Sequence, residues 1–453
     1  MDRSKDPSSL VGEGLVKDRN RLKIAAFWCL SLVPLALLLE VGSYLLIVNN
    51  VPARIKSRLG HGTIEARLLD LRKAPFQRPE FIQCGVVVRT NGRGDPNPEF
   101  SNNPRVHMFH SALGWDFPPD LVYKDIDGIT YNHDPDGARR TCTTFRTTPI
   151  ATYGDSFTYC ANVDDDQTWQ THLANELGVN ILNFGVAGYG TDQACLKYQL
   201  NSRGSAKIVI LGILPENINR VVNIFRPFYV YEEPWGLTKP MFVKTASGFR
   251  LIPNPLDSVL DIGKLSDPTF LKQLGQLDYW YCLDKRLTSF TFPYVFSLYE
   301  WRKHVVRGLT ASLHKVLPLS SASRYQWNLF EEPQALEVMC HIVDLFVNMA
   351  RARGAVPIVV MMPHKDYVME TIENGVHRAD NLLQYLRTNE IAHIDAIRAM
   401  AQMKPTRSQL ERWYEGHATP EGNRILADII FDHLDRDYSA LLGPRDDRLV
   451  LGR

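Results

Sequence analysis

The stretch that decides the fold is TPIATYGDSFT, residues 148–158. Its first six residues form a short apolar run of the kind that makes a buried strand, and the turn Gly154–Asp155–Ser156 follows. Residues 166–178 then show large apolar side chains at helical spacing and end in a glycine. The pattern predicts a serine where a strand gives way to a helix, at the carboxyl end of a sheet.

A serine at such a turn is placed for nucleophilic chemistry. Open α/β sheets form their active crevices at the carboxyl ends of their strands, and the free N–H groups of a helix start favour developing negative charge. A plain helix cap is the alternative, because aspartate and serine are common N-cap residues. The turn alone therefore does not indicate catalysis.

Three later segments add polar groups after predicted strands or before a helix. An apolar run at 180–184 leads into a glycine-rich loop at 185–191, where backbone N–H groups can approach a substrate closely. Another strand, at 207–211, precedes Asn217, and His417 lies in a polar loop before an amphipathic helix. The loop also fits an ordinary tight turn, and the histidine also fits a surface position.

Serine, glycine loop, asparagine and histidine in this order resemble the SGNH (GDSL-like) hydrolase superfamily over roughly residues 148–435. The resemblance implies that Ser156 is the nucleophile and His417 the general base. It also implies an oxyanion hole made by the N–H groups of Ser156 and Gly188 and the side-chain amide of Asn217. This mechanism implies neither a cofactor nor a metal.

Two departures from the family pattern affect the predicted site. The block at residues 216–219 is altered, so Asn219 competes with Asn217 for the oxyanion role. The family usually has an aspartate three residues before the histidine, where this chain has Tyr414. Glu415, two residues before His417, is therefore predicted to orient the imidazole, which needs a carboxylate partner to fix its tautomer.

Further elements predict the fold class. A helix at 333–353 and strands at 356–362 and 391–395 continue an alternation of strands and helices. The alternation predicts an α/β protein with a doubly wound parallel sheet flanked by helices, a three-layer SGNH- or flavodoxin-like arrangement. An insertion at about 221–330 is rich in aromatic residues, which form either a satellite core or, with Arg226, Lys239 and Arg250, a groove for carbohydrate or lipid.

Residues 24–48 form an apolar stretch that contains one charged residue, Glu40. The stretch is long enough to cross a bilayer as a helix, and Trp28 and Tyr44 lie near its ends. It is too long for the apolar core of a cleaved signal peptide, and too apolar for an ordinary buried helix. Glu40 either faces a partner helix or is neutral, or it lies near the outer interface and reaches toward it.

Basic residues flank both ends of this stretch, so the positive-inside bias is slight. The simplest topology keeps the short amino tail inside and places the body outside. The sequence thus predicts a single-pass inner-membrane protein with a periplasmic body. Its predicted segments are a cytoplasmic tail (1–23), a transmembrane signal anchor (24–48), a lead-in segment packed on the catalytic domain (49–147), the catalytic domain (148–440) and a carboxyl-terminal tail (441–453).

Composition excludes some classes of function. The formal net charge is +1 and no basic stripe is present, which argues against nucleic-acid binding. Six cysteines outside the apolar stretch allow three disulfides or single thiols, and without a Cys-x-x-Cys pair no zinc site is predicted. His110 and His133, in the lead-in, are interpreted as surface or capping residues.

The resemblance implies chemistry through an acyl-enzyme. Membrane-anchored bacterial members of similar layout often take part in O-acetylation of exported polysaccharides beside a multispanning acyltransferase. We therefore expect an extracytoplasmic serine esterase or O-acyltransferase that acts on acyl groups of cell-envelope or exported glycans, with such an acyltransferase as a partner. The alternatives are a lipid or small-ester hydrolase and a catalytically silent glycan-binding or scaffold protein, which Tyr414 keeps open.

Overall fold

The chain divides into two compact units in a computed structural model. One unit comprises residues 1–60 with 286–326, and the other comprises residues 61–285 with 327–453. The predicted insertion is therefore shared between the units at residue 286. The structure describes residues 23, 27–28, 30–47, 86–88, 106–125, 127–145, 147–201, 206–229, 237–288, 292–299, 302, 328–375 and 377–442.

The strands of the described residues lie in the second unit. In chain order they are β1 (Val86–Val88), β2 (Val106–His110), β3 (Gly114–Asp116), β4 (Val122–Lys124), β5 (Thr130–Asn132), β6 (Ile150–Tyr153), β7 (Ile181–Asn183), β8 (Ile208–Ile213), β9 (Met241–Thr245), β10 (Gly248–Ile252), β11 (Val356–Met361), β12 (His393–Asp395), β13 (Tyr414–Glu415) and β14 (His417–Ala418).

Five of these strands form the central sheet, in the order β12-β11-β8-β6-β7, and every neighbouring pair is parallel. The strand order reverses between β6 and β8, which is the topological switch point of a doubly wound sheet. All residues of β6 and β8 are buried, as expected of strands covered on both faces. The predicted doubly wound parallel sheet is confirmed.

Helices cover the sheet in two groups, both of which contact β11, so the unit has three layers. Within each group, every helix packs against at least one other member. The first group comprises Trp169–Leu177, Lys365–Asn374, Ala396–Gln402, Arg407–Trp413 and Pro420–Leu442, and the second Thr191–Leu200, Asn217–Val221, Pro333–Ala352 and Asp380–Thr388. Shorter or inserted helices are Ser156–Tyr159, Arg226–Tyr229, Pro268–Gly275 and Tyr279–Thr288, with 3₁₀ turns at Asp165–Gln167, Val259–Ser266 and Leu329–Glu331.

The lead-in segment contacts the edge of the central sheet through Arg139. Its backbone N–H donates to the carbonyl of Asn183, at the end of β7, over 2.8 Å. The fully buried guanidinium forms a 2.7 Å ion pair with Asp165 and donates to three backbone carbonyls in residues 159–163. The lead-in is thus joined to the turn that follows the helix of Ser156.

The two lead-in histidines differ in their surroundings. The Nδ1 atom of His110 accepts bonds from the N–H groups of Ala112 and Leu113, so this residue caps a turn as predicted. His133 is only 1% exposed, and its ring nitrogens contact the Leu121 carbonyl and the Tyr159 hydroxyl. The surface interpretation of His133 is therefore wrong, because the aromatic rings of Phe117, Tyr123 and Tyr159 lie against it. Burial lowers its pKa to about 3.

The aromatic residues of the insertion that belong to the second unit form a satellite core. Phe228 packs on Phe225 and Tyr281, and Tyr229 packs on Trp280, with ring centroids 4.8–5.1 Å apart in these pairs. Lys239 does not line a groove, because its ammonium group is buried in an ion pair with Asp192. Among the described residues of the second unit, the insertion therefore follows the satellite-core alternative.

The described cysteines are free thiols. They are Cys142, Cys160, Cys195, Cys282 and Cys340, whereas Cys29 and Cys84 lie outside the described residues. Three disulfides are therefore not formed in this structure, and the single-thiol alternative holds for these five residues.

In the first unit, Leu30–Ile47 form a helix with a mean hydropathy of 2.0, long and apolar enough to cross a membrane. A signal sequence near an amino terminus passes the same test of length and composition, so the test leaves both the predicted anchor and a signal sequence open. Most of its apolar side chains are exposed, unlike those of a core helix. The rest of the predicted span, at 24–26, 29 and 48, lies outside the described residues.

Candidate active site

Ser156 is the first residue of a short helix that begins immediately after β6. The preceding residue, Asp155, caps this helix, because its Oδ1 accepts a 2.9 Å bond from the N–H of Phe157. Gly154 permits the tight entry to the turn, since a Cβ atom at this position would lie 2.1 Å from Oγ1 of Thr158. The local sequence thus holds the serine hydroxyl at the carboxyl end of β6.

His417 meets this serine from the other end of the chain. Its Nε2 lies 2.9 Å from Oγ of Ser156, although 261 positions separate the two residues. The histidine lies in the β13–β14 hairpin, which turns at Gly416 with a φ of +76°. Lys365 donates to the carbonyl of Tyr414 over 3.3 Å, and the ring of Phe157 lies 5.0 Å from the imidazole. These contacts fix the hairpin and the ring plane.

The two backbone donors predicted for the oxyanion hole belong to Ser156 and Gly188. Ser156 presents its N–H at the start of the helix, and Gly188 presents its N–H in a turn where its φ is +83°. Among the described residues, neither N–H group has a hydrogen-bond acceptor. The indole N–H of Trp115 donates to the carbonyl of Ala187 over 3.0 Å, which holds the peptide that carries the N–H of Gly188.

Asn217, rather than Asn219, faces the serine loop. The amide of Asn217 donates to Asp155 over 3.0 Å and to the carbonyl of Tyr189 over 3.3 Å. Asn219 donates locally to the carbonyl of Glu216 over 3.1 Å. Both amide hydrogens of Asn217 are used inside the protein, so an oxyanion role requires it to release the longer bond. That role stays a prediction.

The carboxylate of Asp155 is the electrostatic centre of this network. The guanidinium of Arg220 lies 3.4 Å from it, and also bonds to the carbonyl of Tyr189 and the carboxylate of Glu216 at 2.8 Å each. Burial raises the pKa of Asp155, while Arg220, Asn217 and the N–H of Phe157 oppose that rise. The sequence analysis did not predict the ion pair between Asp155 and Arg220. Arg220 lies about one helical turn after Asn217, which follows a strand, and this spacing was the available signal.

Glu415 is not joined to His417. Its side chain is exposed, and among the described residues no hydrogen bond connects it with the imidazole. Tyr414 does not replace the missing aspartate either, because its buried hydroxyl points at the sulfur of Met400, 3.3 Å away. The role of Glu415 as the carboxylate that orients His417 stays a prediction. The exposed position of its side chain does not support that role.

His364 is a further residue near the site that the sequence analysis missed. It follows β11 and caps the helix Lys365–Asn374, and its ring lies 5.8 Å from that of Phe157 and 5.5 Å from that of Tyr414. Burial lowers its pKa, and the nearby Asp366 opposes this shift. Its position directly after the fourth strand of the sheet was the available signal.

In the described part of the chain, no group of three or more His, Cys, Asp or Glu residues could hold a metal ion.

The fold and the site define a three-layer α/β protein with a serine–histidine pair beside its topological switch point. No family model matches the chain, and no curated protein matches it. Among solved structures, it is similar to a chain assigned to the G-D-S-L lipolytic family from Desulfitobacterium hafniense DCB-2. The identity is 10% and the TM-score 0.30, over 63% of this chain and 99% of that chain. A likeness at this level carries no argument about activity.

Proposed function

We propose that this chain is a serine esterase or O-acyltransferase that forms an acyl-enzyme on Ser156. The observation that carries the proposal is the 2.9 Å distance between Oγ of Ser156 and Nε2 of His417. A serine hydroxyl is a weak nucleophile until a neighbouring imidazole removes its proton. The structure brings this buried serine and a histidine from the β13–β14 hairpin together at the end of β6.

In the first half-reaction, Oγ of Ser156 bonds to the carbonyl carbon of an ester while Nε2 of His417 takes the hydroxyl proton. Negative charge develops on the carbonyl oxygen. The N–H groups of Ser156 and Gly188 stabilise it, each by about 3 kcal/mol, and Asn217 adds a donor when it releases the Tyr189 carbonyl. The ester C–O bond then breaks, and His417 returns its proton to the departing alcohol.

In the second half-reaction, a water molecule or an acceptor hydroxyl attacks the acyl carbon. His417 removes the proton from the attacking oxygen, and the bond to Oγ of Ser156 breaks with return of that proton to the serine. Water as acceptor releases a carboxylic acid, whereas a sugar hydroxyl receives the acyl group as a new ester. The same residues therefore serve both an esterase and a transferase.

The finer proposal is an extracytoplasmic enzyme, anchored in the inner membrane by the helix Leu30–Ile47, that acts on acyl groups of cell-envelope or exported glycans. The length and hydropathy of this helix support the anchoring. The substrate class, and a multispanning membrane acyltransferase as partner, rest on the resemblance to membrane-anchored bacterial members of the superfamily.

Covalent labelling tests the acyl-enzyme proposal. The full-length protein in detergent is treated with a fluorophosphonate, and mass spectrometry locates the adduct. We expect the adduct on Ser156, and its loss in Ser156→Ala and His417→Gln. Ser247→Ala, at an exposed serine of the β9–β10 hairpin, and His433→Gln, in the last helix, are matched controls that should label normally. Labelling that persists in Ser156→Ala would contradict the proposal.

Acceptor competition separates the two activities. p-Nitrophenyl acetate is supplied with and without an oligosaccharide, and both free acetate and acetylated sugar are measured. A transferase diverts acetate to the sugar at the expense of hydrolysis, whereas an esterase releases acetate at the same rate in both mixtures.

A further inference from the structure

A short segment of the insertion packs against the amino-terminal helix within the first unit. Residues 294–299 are helical, and the backbone N–H of Tyr294 donates to the carboxylate of Glu40. The ring of Tyr294 also lies 5.2 Å from that of Tyr44. The only charged side chain of the apolar helix therefore faces another segment of the same chain, which is the first of the two alternatives predicted for Glu40.

The contacted residues lie on one face of the helix. Glu40, Ser43, Tyr44 and Ile47 are spaced three or four positions apart, which places them in one stripe. Within it, Ser43 is 3% and Ile47 1% exposed. Large apolar side chains elsewhere on this helix are at least 36% exposed; they are Leu30, Leu32, Val33, Leu35, Leu37, Leu38, Leu39, Val41, Leu45 and Leu46. Ser43 and Ile47 are thus packed, Tyr44 is 42% exposed beside its contact with Tyr294, and the remainder of the helix presents apolar surface.

The segment that packs on Glu40 has an exposed aromatic surface of its own. Phe292 and Phe296 are each 69% exposed and Tyr299 is 66% exposed. The guanidinium of Arg302 lies 4.0 Å from the ring centroid of Tyr299 and donates to its carbonyl over 2.6 Å. Aromatic side chains with a tyrosine and an arginine at one end are the composition of a membrane–water interface.

We propose that residues 292–299 are a second membrane-contacting element, with Phe292, Phe296 and Tyr299 inserted among lipids beside the helix Leu30–Ile47. The inference rests on the proposed anchoring. Lipid is the occupant because these exposed aromatic side chains lie on a segment that packs, through Tyr294, on a helix long enough to span a bilayer. Water would leave both surfaces unfavourably exposed.

The position of Glu40 sets the depth of this element. Glu40 precedes Ile47 by seven residues, which corresponds to about 10 Å along a helix axis. When Ile47 lies at the membrane boundary, Tyr294 must therefore reach beneath the headgroups to donate to Glu40. Its N–H then satisfies a carboxylate that would be costly without a partner in an apolar environment.

Site-specific photo-cross-linking tests the element in the full-length protein, reconstituted in phosphatidylcholine–phosphatidylglycerol vesicles. The photoreactive residue p-benzoylphenylalanine replaces Phe296, or, as a matched control, Leu260, which is 72% exposed in the other unit. After irradiation, mass spectrometry counts lipid adducts. We expect at least about fivefold more lipid adduct at position 296 than at position 260. Equal yields, or adducts at 296 to protein alone, would overturn the inference.

Variants of Glu40 test the contact that positions the element. Glu40→Gln keeps an oxygen acceptor for the N–H of Tyr294, whereas Glu40→Leu removes it. We expect the lipid adduct at position 296 to persist in the first variant and to fall at least about threefold in the second. An adduct that is insensitive to Glu40→Leu would contradict the proposed positioning.

Carbonate extraction separates this inference from the anchoring on which it rests. A protein that carbonate releases from the vesicles is not anchored, so both ideas fail. A protein that resists extraction but gives no excess lipid adduct at position 296 keeps its anchor, and only the second membrane element is rejected.

Discussion

The side-chain amide of Asn217 donates a 3.0 Å hydrogen bond to the carboxylate of Asp155, the residue before the serine. The bond joins the turn after β6 to the helix after β8 at the switch point of the sheet. The bond holds the amide of Asn217 beside the serine turn, and the proposed mechanism gives this amide a donor role. This arrangement distinguishes Asn217 from Asn219 in a way that can be measured.

We predict that Asn217→Ala lowers kcat for p-nitrophenyl acetate by roughly 10²–10³-fold, the usual effect of removing one oxyanion donor. Asn219→Ala is the matched control and should stay within about threefold of the unmodified protein, since within the described residues its amide bonds only to the carbonyl of Glu216. Thermal melting of both variants identifies any loss of folded protein. Equal effects of the two substitutions would show that Asn217 has no special role.

We predict that Glu415→Gln lowers kcat by no more than about tenfold, because its exposed carboxylate makes no bond to His417 within the described residues. A triad carboxylate is far more sensitive: its replacement by the amide costs about 10⁴-fold in kcat in a serine protease. The measurement is steady-state ester hydrolysis with active-site titration. A loss near the larger figure would restore Glu415 as the orienting acid.

Arg139 should contribute strongly to stability. Arg139→Met leaves the carboxylate of Asp165 buried without its cation and removes the donors to residues 159–163, so we expect a loss of about 3–5 kcal/mol in the free energy of unfolding. Urea unfolding followed by tryptophan fluorescence measures it. Arg140→Met, at the adjacent exposed arginine, should cost less than about 1 kcal/mol. Similar losses in the two variants would argue against a special role for the buried ion pair.

The buried ring of His133 predicts a loss of stability in acid. Its pKa is lowered to about 3 in the folded protein, against about 6.5 in the unfolded chain, so between these values only the unfolded chain binds the proton. The neutral imidazole's contribution to the free energy of unfolding is fully present above pH 6.5, and it falls by roughly 2–3 kcal/mol between pH 7 and pH 4.5. Other groups titrate in the same window, among them Asp278, whose pKa burial raises to about 6.

His133→Asn isolates the contribution of the imidazole, because an amide does not titrate. We expect the variant to be less stable at pH 7 but to lose less stability than the unmodified protein when the pH falls to 4.5. Urea unfolding at both pH values gives the difference. If both proteins lose the same free energy of unfolding between pH 7 and pH 4.5, the pKa of His133 is not lowered by burial.

The strands of the central sheet and the turn that carries Ser156 could be predicted from the sequence because each depends on a local pattern. Continuous apolar runs gave β6, β8 and β11, and the polar residues after them mark the carboxyl edge of the sheet. Parallel strands put such residues at the same edge, so Ser156 and Asn217 converge. The prediction for His417 needed family resemblance, because a histidine before a helix has no local signal of its own.

Other features depend on contacts between distant segments and could not be predicted in this way. The burial of His133 follows from aromatic side chains of the lead-in and of Tyr159, which stack only after the fold has formed. The sequence did not distinguish Asn217 from Asn219 as the oxyanion donor. Which of the two faces the serine turn depends on how a five-residue helix is rotated about its axis. The bond from Tyr294 to Glu40 joins segments 254 positions apart and follows no periodic pattern.

The long separation between Ser156 and His417 has a consequence for biosynthesis. A polypeptide still emerging from the ribosome, or one truncated before its last hairpin, carries the hydroxyl but lacks the base that activates it. Under the proposed chemistry, catalytic competence arises only once the terminal helix Pro420–Leu442 has docked against Trp169–Leu177. Immature chains in transit would leave cellular esters untouched.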